Sequence, residues 1–119
     1  MMKSRNEDAS CGGNEQELVK GGENRLATIS PSLVDQVLEG MSEGGVNFVA
    51  GLPDGWLNPL HQRIEDGGSI PYVCVPHEGL GVALCAGAWL GGKTPMLIME
   101  NSGLRTSAET IARICMFAR

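Results

Sequence analysis

Residues 76–104 read PHEGLGVALCAGAWLGGKTPMLIMENSGL. A single acid, Glu78, stands between the β-branched run Ile70 to Val75 and a long run of small and apolar residues. Gly79 to Trp89 has helical length and is rich in Gly and Ala, so it can pack very close to a sheet or a partner helix. Gly91-Gly92 stops it, and Pro95 to Met99 reads as a strand before the loop Glu100-Asn101-Ser102-Gly103. The apolar run cannot hydrate a charge. Glu78 is therefore either held by the helix start that follows, where the backbone favours an anion, or used on a ligand.

Working outward toward the N-terminus, Ser30 is placed to cap a helix whose first residue is Pro31. Leu33, Val34, Val37, Leu38 and Met41 share one face of that helix, and Gly44-Gly45 ends it. Val46 to Ala50 reads as a buried strand, GLPDG at 51–55 as a loop, and Trp56 to Ile64 as a helix with Pro59 in its first turn. Toward the C-terminus, Thr106 or Ser107 caps a last helix with Ile111, Ile114, Cys115 and Phe117 on its apolar face. The order αβαβαβα with short connections predicts an α/β fold: an open parallel sheet with helices on both faces. Ligands of such sheets bind at the carboxyl ends of the strands. Three loops lie there: Gly51 to Gly55, Pro76 to Gly79, and Glu100 to Arg105.

Composition narrows the function classes. With 119 residues and 42% hydrophobic residues the chain suits one modest domain. A net charge of −5 and few aromatics argue against a general nucleic-acid binder. MMKSRNEDAS has no apolar signal region, and Gly79 to Leu90 falls short of the roughly 20 residues of a spanning helix. Cys11, Cys74, Cys85 and Cys115 form no C-x-x-C pair and no zinc pattern; free, mostly buried thiols in a reducing cytoplasm are expected. Residues 1–27 are polar, charged and Gly-rich and are expected to be a disordered lead, with the domain occupying 28–119. A dinucleotide site is a poor reading, because Leu84 stands where a third glycine would follow Gly79 and Gly81.

Three pieces, VNFVAGLPD at 46–54, HEGLGVALCAGAWLGGKTP at 77–95 and MENSGL at 99–104, resemble the pyrimidine-binding (PYR) domain of thiamine-diphosphate-dependent 2-oxoacid decarboxylases. The likeness extends from about Ile29 to Ile114. It is strongest to the sulfopyruvate decarboxylase alpha subunit and the N-terminal domain of phosphonopyruvate decarboxylase. The resemblance implies that Glu78 hydrogen-bonds the cofactor's pyrimidine nitrogen and favours the imino form that deprotonates the thiazolium C2. It implies cofactor contacts from Pro53, Asn101, Ser102 and Gly103, and an acid, Asp54, facing the reacting carbons. Each residue also has a plainer use. Glu78 could simply cap its helix, Asp54 could close a turn before Gly55, and Asn101 and Ser102 could only shape their loop. Arg105, read as standing just before a helix start, could pair with a sulfonate or phosphonate or lie solvated at the surface.

His77 and His61 are expected to be structural or surface residues, Lys93 solvated, and Trp56 and Trp89 packing residues. The family holds the diphosphate through Mg²⁺ on a second domain marked by G-D-G and a later pair of asparagines. This chain has neither. The resemblance therefore implies a partner, a beta subunit carrying the Mg-diphosphate site, and an anionic 2-oxoacid such as sulfopyruvate, converted to sulfoacetaldehyde and CO₂. The family domain is longer, so a domain shortened at its C-terminus is expected; a non-catalytic partner-binding module is the alternative.

Overall fold

In the computed structural model, which describes residues 28–117, eight elements follow one another. They are α1 (Pro31–Glu43), β1 (Phe48–Gly51), α2 (Asn58–Gly67), β2 (Tyr72–Cys74), α3 (Glu78–Leu90), β3 (Pro95–Ile98), α4 (Asn101–Thr106) and α5 (Ala108–Phe117). The expected lead at 1–27 lies outside the described residues.

The strands form one parallel sheet in the order β2-β1-β3. Val49 pairs with Tyr72 and with Met96, and Gly51 pairs with Cys74 and with Ile98. All three carboxyl ends consequently open on the same edge. The ladder is extended at both ends: Asn47 N–H donates to Thr94 O and Asn47 Oδ1 accepts from Thr94 N–H at the start, and Val75 N–H donates to Gly51 O at the finish.

Helices cover both faces, as the element order predicts. Val34 and Met41 of α1 and Leu60 and Ile64 of α2 bury against Val49 and Ile98. α3 takes the opposite face, where Gly81 lies so close to the sheet that an added Cβ would stand 2.6 Å from a methyl of Leu97 and 3.3 Å from one of Val75. At Gly81 the absence of a side chain is thus a packing requirement. α5 packs on α3 from outside.

Helix starts follow the sequence signals. Ser30 accepts the Leu33 N–H, Pro31 opens α1, and Gly44 closes it. Pro59 lies in the first turn of α2, whose end is closed by Gly68 at φ 59°, a left-handed conformation that suits glycine. Leu33, though on the predicted face, is exposed because α1 meets its neighbours through Val34 and Met41.

Three expectations change. Residues 101–106 are helical, not a loop, so the chain leaves β3 through a short helix before the last one. Trp56 and Trp89 are exposed rather than packed; neither points into the buried layers that α1, α2 and α3 form with the sheet. Cys74 is exposed because β2 is an edge strand, and Cys85 is half-buried; both are free thiols. His61, expected to be structural or at the surface, is buried.

Val49 is fully buried in the centre of the sheet, whereas Leu90 is 75% exposed. Val49→Ala is expected to lower stability by about 2 kcal/mol and Leu90→Ala by less than about 0.5 kcal/mol. Urea denaturation midpoints at unchanged m-value measure both.

Candidate functional site

The three loops at the carboxyl edge carry the ionisable groups singled out by the sequence. Glu78 is the first residue of α3 and is half-buried. It does not cap that helix. The cap is His77, whose Nδ1 accepts the Gly79 N–H at 3.0 Å. The most local use of Glu78 is therefore already taken by its neighbour, and the plainer reading of the acid as a cap is corrected.

Across from Glu78, Gly103 of α4 is buried. A Cβ built there would collide with the Cγ, Cδ and Oε1 atoms of Glu78. Gly103 therefore serves as clearance for the Glu78 side chain. On the other side, Gly79 is crowded by His77 and by Thr110 of α5, so the start of α3 is enclosed by α4, α5 and its own cap. Nearby, Ser107 joins α4 to α5 and is 1% exposed, with its Oγ lacking a partner among the described residues.

Asp54 divides its oxygens between two situations. Oδ1 accepts the Trp56 and Leu57 N–H groups, each at 2.8 Å, and so holds the turn that leads into α2. This is the turn-forming use anticipated before Gly55. Oδ2 is buried and has no partner among the described residues. The loop is further tied down by Ile29 N–H, which donates to Trp56 O, and by Leu52 N–H, which donates to Ile98 O.

Between the first strand-end loop and the start of α4 lies a cleft of about 470 Å³ lined by Asp54, Trp56, Leu57, Met99, Glu100, Asn101 and Ser102. The fold thus brings Asp54, Asn101 and Ser102 together. Ser102 Oγ donates to Glu100 Oε2 at 2.9 Å, which helps shape the wall. Pro53 is exposed in the adjoining loop. Glu78 does not line this cleft; it stands at the α3–α4 junction, separated from it along α4.

Arg105 does stand just ahead of a helix start, since α5 opens at Ala108, but it also belongs to the helix before it. It is exposed in the last turn of α4 and lines neither this cleft nor the apolar one described next. At that end the helix dipole favours the cation itself. The apolar cleft lies between α3, β3 and α5, with Val82, Trp89, Leu97 and Ile114 among its walls and no charged side chain. It offers an anionic substrate nothing to bind.

His61 is the residue whose importance the sequence reading missed. It is 2% exposed, and its Nδ1 lies 2.8 Å from the Tyr72 hydroxyl. Burial pushes its imidazole below the ordinary histidine range, partly offset by the negative charge of Asp54. Burial, with smaller contributions from Cys74 and Glu65, pushes the Tyr72 phenol up. The missed signal was spacing: Leu57, Leu60, His61 and Ile64 share one helical face, so His61 had to point inward.

Among the described residues no cluster of three or more metal-ligating side chains occurs, and no helix is long and apolar enough to cross a membrane.

No family model matches the chain. Individual proteins do. The chain is 36% identical over 83 residues to the phosphonopyruvate decarboxylase of Streptomyces viridochromogenes, covering 70% of this chain and 21% of that protein. It is 32% identical over 80 residues to the sulfopyruvate decarboxylase subunit alpha of Methanococcus maripaludis, covering 67% of this chain and 48% of that protein. A third relative, subunit alpha from Methanothermobacter thermautotrophicus, is 31% identical over 80 residues. The chain spans about half the length of these alpha subunits and about a fifth of the phosphonopyruvate decarboxylase.

Replacing His77 by Ala removes the α3 cap and is expected to cost about 1 kcal/mol, while His77→Asp, which can also accept the Gly79 N–H, restores most of it. Denaturation midpoints of the two variants measure this. The matched stretch of this chain belongs to the family of sulfopyruvate and phosphonopyruvate decarboxylases.

Proposed function

We propose that this chain supplies the pyrimidine-binding part of a thiamine-diphosphate-dependent 2-oxoacid decarboxylase, acting on sulfopyruvate to give sulfoacetaldehyde and CO₂. The observation that carries the reading is the state of Glu78. Its neighbour His77 takes the capping duty, and a glycine at position 103 leaves room for its carboxyl group. A helix cap alone would not call for that clearance.

The residues present fit a pyrimidine ring in donor chemistry. Glu78 offers a carboxyl group at the carboxyl edge of a parallel sheet, where such folds bind ligands. Its part is to hold a proton at the ring nitrogen. Bound there, thiamine diphosphate supplies the electron sink that makes loss of CO₂ from a 2-oxoacid feasible. Asn101, Ser102, Gly103 and Pro53 form or adjoin the walls on the two sides of Glu78 and Asp54, and their part is orientation. Asp54, anchored through Oδ1, brings an acid to the wall of the polar cleft near where substrate would react.

Mg²⁺ and the diphosphate require a second polypeptide or domain, because the sequence has no G-D-G. Names of the relatives support such a division: several are alpha subunits, a term that implies another subunit. The same names favour a sulfonate substrate, and the phosphonopyruvate decarboxylases keep the phosphonate as the second reading.

The test reconstitutes the chain with a sulfopyruvate decarboxylase beta subunit, thiamine diphosphate and Mg²⁺, and measures CO₂ release from sulfopyruvate and phosphonopyruvate. Turnover with sulfopyruvate is expected, with a loss of at least about a hundredfold in kcat for a folded Glu78→Gln variant. Turnover of phosphonopyruvate alone would move the substrate to the second reading. Unchanged turnover in Glu78→Gln would remove the role of that residue, and no CO₂ from either substrate would favour a non-catalytic binding module.

A further inference from the structure

Two buried polar atoms near the end of β1 have no partner among the described residues: His61 Nε2 and Asp54 Oδ2. Buried polar groups are almost always satisfied, by protein or by ordered water. One of these two is a potential donor and the other an obligatory acceptor, so each is what the other lacks.

Their placement is determined by Gly51. A Cβ at this last residue of β1 would meet His61 Cε1 at 2.7 Å, His61 Nδ1 at 3.0 Å and the Tyr72 hydroxyl at 3.2 Å. Cε1 is the carbon between the two ring nitrogens. The Cε1–Nδ1 edge of the imidazole therefore faces the strand end, from which the loop bearing Asp54 departs. Asp54 Oδ1 in turn holds the Trp56 and Leu57 amides just ahead of α2, and His61 lies in the opening turns of that helix.

We propose that His61 is a positioning residue for Asp54: its Nε2–H holds the buried Oδ2 through one bridging water, with Tyr72 fixing the tautomer from the other side of the ring. The Tyr72 hydroxyl donates to Nδ1, which leaves the single proton of the neutral ring on Nε2. The opposite tautomer would turn a lone pair toward a carboxylate. Three features keep the ring neutral or allow it to be so: it is buried, it lies near a helix N-terminus, and the one acid acting on it, Asp54, only partly offsets burial. The arrangement makes the first strand-end loop a rigid wall for the polar cleft, with both oxygens of Asp54 fixed. Its bearing on catalysis rests on the proposed role of Asp54; the hydrogen-bond arrangement itself does not.

The chain has two histidines, so imidazole nitrogen NMR on the full ¹⁵N-labelled chain resolves His61 once His77→Asn assigns the other signal. A single Nε2–H tautomer is expected, with a titration midpoint below 6.5. Tyr72→Phe should move the nitrogen shifts toward a tautomer mixture. Asp54→Asn should lower the midpoint further, since the carboxylate's charge raises it. Amide exchange at Trp56 and Leu57 reports the hold on Asp54: His61→Leu should raise it about fivefold to tenfold, the scale of one net hydrogen bond, and His61→Gln, which keeps an N–H, should restore much of the protection.

An Nδ1–H tautomer, an Asp54→Asn midpoint that does not move, or native exchange in a folded His61→Leu chain would overturn the proposal. If His61→Leu does not fold, the Tyr72→Phe and Asp54→Asn spectra decide alone. A chain with these signatures and no decarboxylase activity would keep this proposal and sink the functional reading; an active enzyme without them would do the reverse.

Discussion

β1 has no face to spare. It pairs in parallel with a strand on each side, and Val49 and Ala50 are fully buried between α1 and α2 below and α3 above. Parallel pairing on both edges forces the chain to leave and re-enter through helices, and it makes every strand end on one edge of the sheet. The positions of Asp54, Glu78 and Asn101 follow from that constraint. They are far apart in sequence and share no local structure, yet each lies directly beyond the end of a strand.

At that edge, side chains divide the labour between holding backbone and remaining available. His77 receives the Gly79 amide, which releases Glu78 from the helix start. Asp54 spends one oxygen on the turn into α2 and keeps the other buried. Glycines at 51 and 103 provide the clearances, one beneath the His61–Tyr72 pair and the other beside Glu78. In both cases the missing side chain allows a polar group to approach backbone closely, which a Cβ would prevent. The two clefts differ in kind as well. One is walled by apolar side chains of α3, β3 and α5, and the other brings together polar residues from the loop after β1 and from the start of α4.

Much of this could be read from the chain itself. Ser30-Pro31, Gly44 and Gly68 mark helix ends through backbone chemistry that does not depend on the rest of the fold, and the structure uses each of them. The alternation of strand and helix was equally plain, because β-branched runs and the Gly/Ala run of α3 differ so sharply in composition. What could not be read were features that depend on contacts between distant segments. Asn101–Thr106 has no apolar periodicity and no capping side chain, so its helix is visible only once α3 and α5 enclose it. The partner of a buried His61 lies on β2, and the reason for Gly103 is an acid on α3. The place of Arg105 ahead of the last helix was legible, but not that it also lies in the final turn of α4, because residues 101–106 read as a loop.

The account as a whole depends on the Glu78 carboxyl group acting on a cofactor ring rather than on its own helix. The most direct measurement is the rate at which the C2 proton of thiamine diphosphate exchanges with deuterated solvent in the complex with a beta subunit, before any substrate is added. The account predicts that exchange is accelerated over free cofactor, and that Glu78→Gln abolishes at least about a hundredfold of the acceleration. Equal exchange rates for the parent chain and the Glu78→Gln variant, with the cofactor bound in both, would contradict it.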